Sequence, residues 1–328
     1  MRRAACLSIL ACLTAAAAEP TVRFVDVGDS VKVEVLDWGG AGRPVILLAG
    51  SGNTGHVFEN FAPKLSDCCH VYAVTRRGYG LSSKPERGYS APELAEDVWR
   101  VIDSLKIAKP VVVGHSMAGS ELSYLGQRHS HELVGLVYLD ANGDPMDWPW
   151  SNEEYRRLVM KSMQNGPPPQ KQTAADKASV DAYRDFQRRT GLFPFPAGEI
   201  RAMYEIQADG SVGRNRTPSY VSHAIDAGSI PRDYRGIAVP VLALFPVPLS
   251  PSEKWKEHPP KNDQERIESE RSDEILLEFI HRWEGNLKRA VPAARIVELP
   301  GAHHYLFQSE EADVLRELRS FLKSLDTH

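Results

Sequence analysis

Five short apolar runs set the terms on which this chain can fold: Val45-Ile46-Leu47-Leu48-Ala49, Val71-Tyr72-Ala73-Val74, Val111-Val112-Val113, Leu133 to Leu139, and Val241-Leu242-Ala243-Leu244-Phe245. None is long enough for a helix, and none alternates polar with apolar as a half-exposed strand does. Each reads as a strand buried on both faces. Helical patterns lie between them. Leu94, Val98, Val101, Ile102 and Leu105 recur at helical spacing across Ala91 to Leu105, as do Val314, Leu315, Leu318, Phe321 and Leu322 across Ala312 to Leu325. Alternation of this kind builds a parallel sheet with right-handed crossovers and places ligand chemistry at the carboxyl ends of its strands. Thr21 to Val27 and Val31 to Leu36, around Gly28-Asp29-Ser30, read as an antiparallel hairpin, and Arg295 to Leu299 as a last strand.

One stretch breaks the alternation. Roughly a hundred residues separate Asp140 from Val241, far more than a strand–helix connection needs, so residues 141–236 are expected to form a subdomain inserted between core segments 19–140 and 237–328. Glu153 to Met163 and Ala178 to Arg189 read as helices there, with a hinge-like break at Pro167-Pro168-Pro169. Trp148, Trp150, Phe193, Phe195 and Tyr204 need apolar partners, and the mouth of the main domain is the expected one. Asn262 to Arg289 reads as a second, more charged helical insert.

The amino terminus has a separate role. Arg2 and Arg3, an apolar run from Cys6 to Ala17, and Ala16-Ala17-Ala18 before Glu19 match a secretory signal peptide, residues 1–18, cleaved after Ala18. The run falls short of the roughly 20 apolar residues a membrane span requires. Export to the periplasm or medium is therefore expected; the alternative is a lipoprotein anchored at Cys12, after Ile9-Leu10-Ala11. The formal charge of −4 becomes more negative once Arg2 and Arg3 leave, which disfavours nucleic acid as a partner. Cys68 and Cys69 then remain as neighbours. They read as small apolar residues entering a strand, with a strained vicinal disulfide as the alternative.

Chemistry concentrates at Gly114-His115-Ser116-Met117-Ala118-Gly119, where a buried-strand run passes into a helical segment. A nucleophile on so sharp a turn holds a strained backbone, so the residues two before and two after it must be small; Gly114 and Ala118 are. The Met117 amide then opens the next helix and points at the reacting carbonyl. Gly78-Tyr79-Gly80 fails as a dinucleotide site because no third glycine follows at the required offset. No histidine spacing suggests a metal, and His129, His131 and His223 read as surface or capping groups.

Val111 to Gly119 resembles the nucleophile elbow of the α/β-hydrolase superfamily. Leu47 to Gly52 is similar to its oxyanion loop, Arg76 to Ser82 to its post-strand turn, and Gly301-Ala302-His303-His304-Tyr305 to its histidine loop. The resemblance covers nearly the whole mature chain. It implies an α/β fold with a mostly parallel eight-stranded sheet flanked by helices, residues 141–236 as a cap, and a triad in the order serine, acid, histidine. Ser116 takes the place of the nucleophile and His304 of the base, in preference to His303. Ser51 and Met117 take the places of the oxyanion donors, through backbone amides that do not need the histidine many members carry where Ala49 stands. The acid is ambiguous. Many relatives place it after the strand matching Val241 to Phe245, yet Pro246 to Ser252 contains no carboxylate before Glu253. A subset that includes some haloalkane dehalogenases takes it from the position of Asp140, which is preferred here over Glu253 and Asp144.

A serine nucleophile implies acyl transfer rather than dehalogenase or epoxide chemistry. The expected function is hydrolysis of a small, partly apolar ester, lactone or amide, without cofactor or metal. Carbon–carbon bond hydrolysis or lyase chemistry on the same fold, and a non-catalytic ligand-binding protein, are the alternatives.

Overall fold

All five apolar runs become strands of one sheet, and the reason is visible in how their residues divide. The computed structural model describes residues 19–165, 168–257 and 259–327; the expected signal peptide 1–18, with Cys6 and Cys12, and Pro167 of the proline break lie outside them. The strands are β1 (Thr21–Asp26), β2 (Lys32–Gly39), β3 (Arg43–Leu48), β4 (Cys69–Thr75), β5 (Val111–His115), β6 (Gly135–Leu139), β7 (Tyr204–Ile206), β8 (Val212–Asn215), β9 (Val241–Val247) and β10 (Arg295–Pro300). Successive side chains of the central strands go to opposite sides. Ile46, Leu48, Val112, Leu136, Tyr138, Ala243 and Phe245 enter one core, while Val45, Leu47, Val111, Val113, Val137, Leu139, Leu242 and Leu244 enter the other. A strand with water on neither side has no position for a polar residue, hence the unbroken runs. Each such Val, Leu or Ile withdrawn from water contributes about 1.5–3 kcal/mol.

The helices are α1 (Ala91–Ser104), α2 (Ala118–Arg128), α3 (Glu153–Asn165), α4 (Val180–Arg189), α5 (Ala197–Met203), α6 (Ser219–Ala227), α7 (Pro251–Glu257), α8 (Asp263–Ala290), α9 (Leu306–Ser309) and α10 (Glu311–Ser324). The first core is closed by residues of α1, α2 and α8, and the second by residues of α10 and the short turns over 55–65. In α8 the split between charge and packing is lengthwise: Ile275, Phe279, Ile280, Trp283 and Leu287 are buried, while the turns from Asp263 onward are strongly charged.

The eight-stranded sheet has the order β1-β2-β4-β3-β5-β6-β9-β10. Only β2 runs against its neighbours. From β3 the chain goes outward to β4, then returns across to β5 on the opposite flank. The topological switch point therefore falls between β3 and β5, beyond whose carboxyl ends lie Ala49 to Gly52 and Ser116, and a crevice forms where crossovers diverge in this way.

Residues between β6 and β9 carry α3 to α6 and a separate two-stranded sheet of β7 and β8. The small hairpin was not anticipated, although Asp209-Gly210 between its strands is a hairpin signal. The cysteine expectation held only for one residue: Cys69 enters β4 buried, Cys68 is exposed, and their sulfurs stand 3.2 Å apart as free thiols in hydrogen-bond contact, without a disulfide.

Candidate active site

Ser116 follows β5 with φ of 56°, a left-handed conformation that a serine holds only when its surroundings impose it. Its N–H donates to Leu139 O at 3.2 Å, extending the β5–β6 ladder one residue beyond the strand. The elbow is as crowded as the sequence argument requires, since a Cβ on Gly114 would lie 3.0 Å from that of Ala118 and 2.8 Å from Leu122 Cδ1. Asp140 repeats the device on the next strand. Its φ is 44°, and its N–H donates to Leu244 O at 2.9 Å.

Across the crevice, Asp140 Oδ2 accepts from His304 Nδ1 at 2.5 Å. His304 sits in the loop between β10 and α9, its side chain 41% exposed. His303 instead turns its ring toward Phe193 and Tyr305, and its Nδ1 accepts the Tyr305 N–H at 3.2 Å. Neither competing acid reaches His304: Glu253 accepts from Ser250 and Asp144 from the Met146 N–H. Ser116 and His304 are not hydrogen-bonded to each other in this conformation; contacts of this type often tighten only around substrate. The link between them is His115. Its ring centroid is 4.5 Å from that of His304, and its Nε2–H donates to the His304 carbonyl at 2.9 Å. Complete burial and the neighbouring His304 push His115 well below the ordinary histidine range, so it serves as a neutral strut.

A buried ion pair fixes the loop after β3. Arg76 Nε and Nη2 each reach Glu121 at 2.6 Å, and Nη2 also donates to Ala49 O at 2.8 Å. Glu121 lies on the first turn of α2, so the pair joins the post-β4 turn, the β3 loop and the elbow helix. The loop also presses against Ser116, since a Cβ on Gly50 would lie 3.0 Å from Ser116 Cβ. Among the described residues the Ser51 and Met117 N–H groups donate to no protein acceptor, and both residues line one cavity with Ser116.

That cavity measures about 310 Å³ and is walled by Tyr89, Leu94, Trp148 and Ile225. A second, of about 550 Å³, shares Asp140 and Trp148 with it and adds His304, Trp150 and Tyr155. Of the five inserted aromatics, Trp148, Phe193 and Phe195 find partners on the main domain, whereas Trp150 and Tyr204 pack within the insertion, on Tyr155 and Tyr183. Trp148 stacks on Trp283 of α8 at 5.4 Å, and Phe193 and Phe195 pack against Tyr305, next to His304. Of the remaining histidines, His131 and His223 are exposed, and His129 closes α2 while stacked on Trp99. Away from the crevice, His281, Glu284 and Glu298 bring potential metal ligands within 4.8 Å of one another.

Sequence reasoning missed Glu199. It lies on α5 of the insertion, wholly buried, and accepts from Asn53 Nδ2 at 2.9 Å, Thr54 N at 3.0 Å and Thr54 Oγ1 at 2.5 Å. Asn53 in turn accepts from the Tyr305 hydroxyl at 2.9 Å, so one carboxyl ties the insertion to both the β3 loop and the histidine loop. Burial pushes this group up to about 7, against the pull of its donors. Glu199→Ala strands three donors and is expected to lower stability by about 3 kcal/mol, read as a drop in the urea midpoint. The sign of the pH effect follows from the raised value. Because Glu199 binds its proton more tightly folded than unfolded, its contribution is complete below the ordinary value of 4.5 and is lost as pH rises through about 7. Wild-type protein is expected to lose more stability between pH 5 and pH 8 than Glu199→Gln; parallel losses refute this.

An elbow serine at the switch point of a parallel sheet, with an acid–histidine pair beside it, defines a hydrolase site on an α/β frame. The alpha/beta hydrolase family model matches residues 45–318, and the chain belongs to that family. It is 24% identical over 307 residues to 2-(acetamidomethylene)succinate hydrolase of Mesorhizobium japonicum, spanning 92% of this chain and 94% of the relative. Epoxide hydrolase A of Mycobacterium tuberculosis is 36% identical over 130 residues, 38% of this chain and 40% of that protein. Among solved structures, E-2-(acetamidomethylene)succinate hydrolase superposes with a TM-score of 0.64 at 21% identity, covering 93% of this chain and 99% of that one. An esterase from Rhodococcus sp. ECU1013 does so with 0.60 at 19%, covering 93% and 99%. Among the described residues no helix is long and apolar enough to cross a membrane.

Proposed function

We propose that this hydrolase cleaves a small carboxylic ester, or a related lactone or amide, through an acyl-enzyme on Ser116. The observation that carries the reading is the 2.5 Å contact of Asp140 with His304 Nδ1, which leaves Nε2 as the ring nitrogen available to take a proton. In the first step Nε2 takes the Ser116 hydroxyl proton as Oγ bonds to the substrate carbonyl carbon. The resulting oxyanion is met by the Ser51 and Met117 N–H groups. The intermediate collapses, and the leaving alcohol or amine receives the proton from Nε2. Water then attacks the acyl group with His304 again as base, releasing the acid and regenerating Ser116. The Mesorhizobium relative, named for hydrolysis of an acetamido-bearing succinate, keeps amides among the candidates.

Incubation with a fluorophosphonate at neutral pH is expected to add one phosphonyl group per chain, mapped by peptide mass spectrometry to Ser116. An unmodified Ser116 after complete exposure to the reagent would sink the proposal.

A further inference from the structure

Arg232, between α6 and β9, lines the 310 Å³ cavity together with Ser116. Its Nη2 donates to Gly143 O at 2.8 Å. Its Nε and Nη1 are buried and, among the described residues, have no hydrogen-bond partner. Nor does any carboxylate of the described residues pair with it, whereas the buried Arg76 and Arg77 each hold a bidentate one. A guanidinium withdrawn from water with two nitrogens unsatisfied is costly, and its forked donors match a carboxylate. The group lies over the nucleophile's own helix turn: a Cβ on Gly119 would come within 3.1 Å of Nη2, and the Gly119 N–H donates to Ser116 O at 3.0 Å.

We propose that Arg232 is the anion-binding residue of the substrate cavity, so that the acyl compound cleaved at Ser116 carries a free carboxylate. The inference rests on the acyl-transfer reading above and deepens it by naming the substrate class. A carboxylate suits the site better than a phosphate. Asp226 and Asp140 line the same cavity, so a second negative charge is repelled where a single one is balanced by the one guanidinium. The walls of Tyr89, Leu94 and Ile225 accommodate a short apolar chain between the charge and the reacting carbonyl.

The test compares p-nitrophenyl hemiglutarate with p-nitrophenyl valerate, which are similar in length and differ in the terminal charge. Wild-type kcat/KM is expected to favour the hemiglutarate by at least tenfold. In Arg232→Gln that ratio falls toward one, chiefly through KM, and Arg232→Lys restores part of it. A purely structural Arg232 would change thermal stability and leave the ratio intact. Calorimetric titration of Ser116→Ala with glutarate separates the two levels of the argument. Should neither ester be turned over, the acyl-transfer reading fails, while glutarate binding that weakens at least tenfold on adding Arg232→Gln still supports the anion site. Equal kcat/KM for the two esters in the wild type, glutarate binding indifferent to residue 232, or phosphate binding as tightly as glutarate would each overturn the carboxylate assignment.

Discussion

With alanine at position 116, turnover of a p-nitrophenyl ester is expected to fall by about 10⁶-fold in kcat. Oγ is the atom that bonds to the carbonyl carbon in the proposed cycle, and no other hydroxyl stands on the elbow. Some acceleration over water should survive, on the order of 10³-fold, because the Ser51 and Met117 N–H groups still meet the oxyanion when water attacks directly. The substitution removes one oxygen and asks alanine to hold the φ of 56° that Ser116 already holds as a non-glycine residue, so the thermal midpoint should stay within a few degrees of wild type. Single-turnover kinetics would show loss of the burst together with loss of steady-state rate. Activity within tenfold of wild type would place the nucleophile elsewhere.

Asp140→Asn is expected to cost about 10⁴-fold in kcat. The carboxylate accepts the Nδ1 proton and so leaves the lone pair on Nε2, where a base needs it. An asparagine can present its NH₂ to Nδ1 instead, which moves the ring proton to Nε2 and removes the acceptor. It also withdraws the charge that stabilises the imidazolium. The deficit should be largest near neutral pH and lessen in alkali, where hydroxide replaces the general base. Glu253→Gln is the matched control, since Glu253 is bonded to Ser250 outside the crevice, and it should retain wild-type kcat. A comparable loss in Glu253→Gln would move the acid away from Asp140.

The strands were legible because burial on both faces leaves a trace in every residue of a run, as Val111 to Val113 and Val241 to Phe245 show. The elbow was legible for a related reason: Gly114 and Ala118 are sterically compelled, and compulsion writes itself into composition. The acid was not fixed by sequence, because Asp140 and Glu253 both follow strands and spacing does not say which carboxylate reaches His304. Arg76 belonged to a recognised turn, yet its partner Glu121 looks like any helix residue until α2 packs against that turn. Glu199 and Arg232 are subtler still. Each acts across a hundred residues or more, Glu199 on Asn53 and Thr54 and Arg232 over Gly119, and nothing in the local pattern of α5 or of the segment before β9 distinguishes them from solvated charges. The short β7–β8 hairpin escaped because strands of three and four residues are too brief for alternation to be read.

Glu199 also changes what kind of engineering this chain will tolerate. Grafting a foreign lid onto the frame, a common way of seeking new specificity, would sever the acceptor on which Asn53 and Thr54 close, and with it a brace of the loop touching Ser116. Chimeras that transplant α5 together with its glutamate should keep a working reaction centre, while those that import a lid lacking it inherit a slack one.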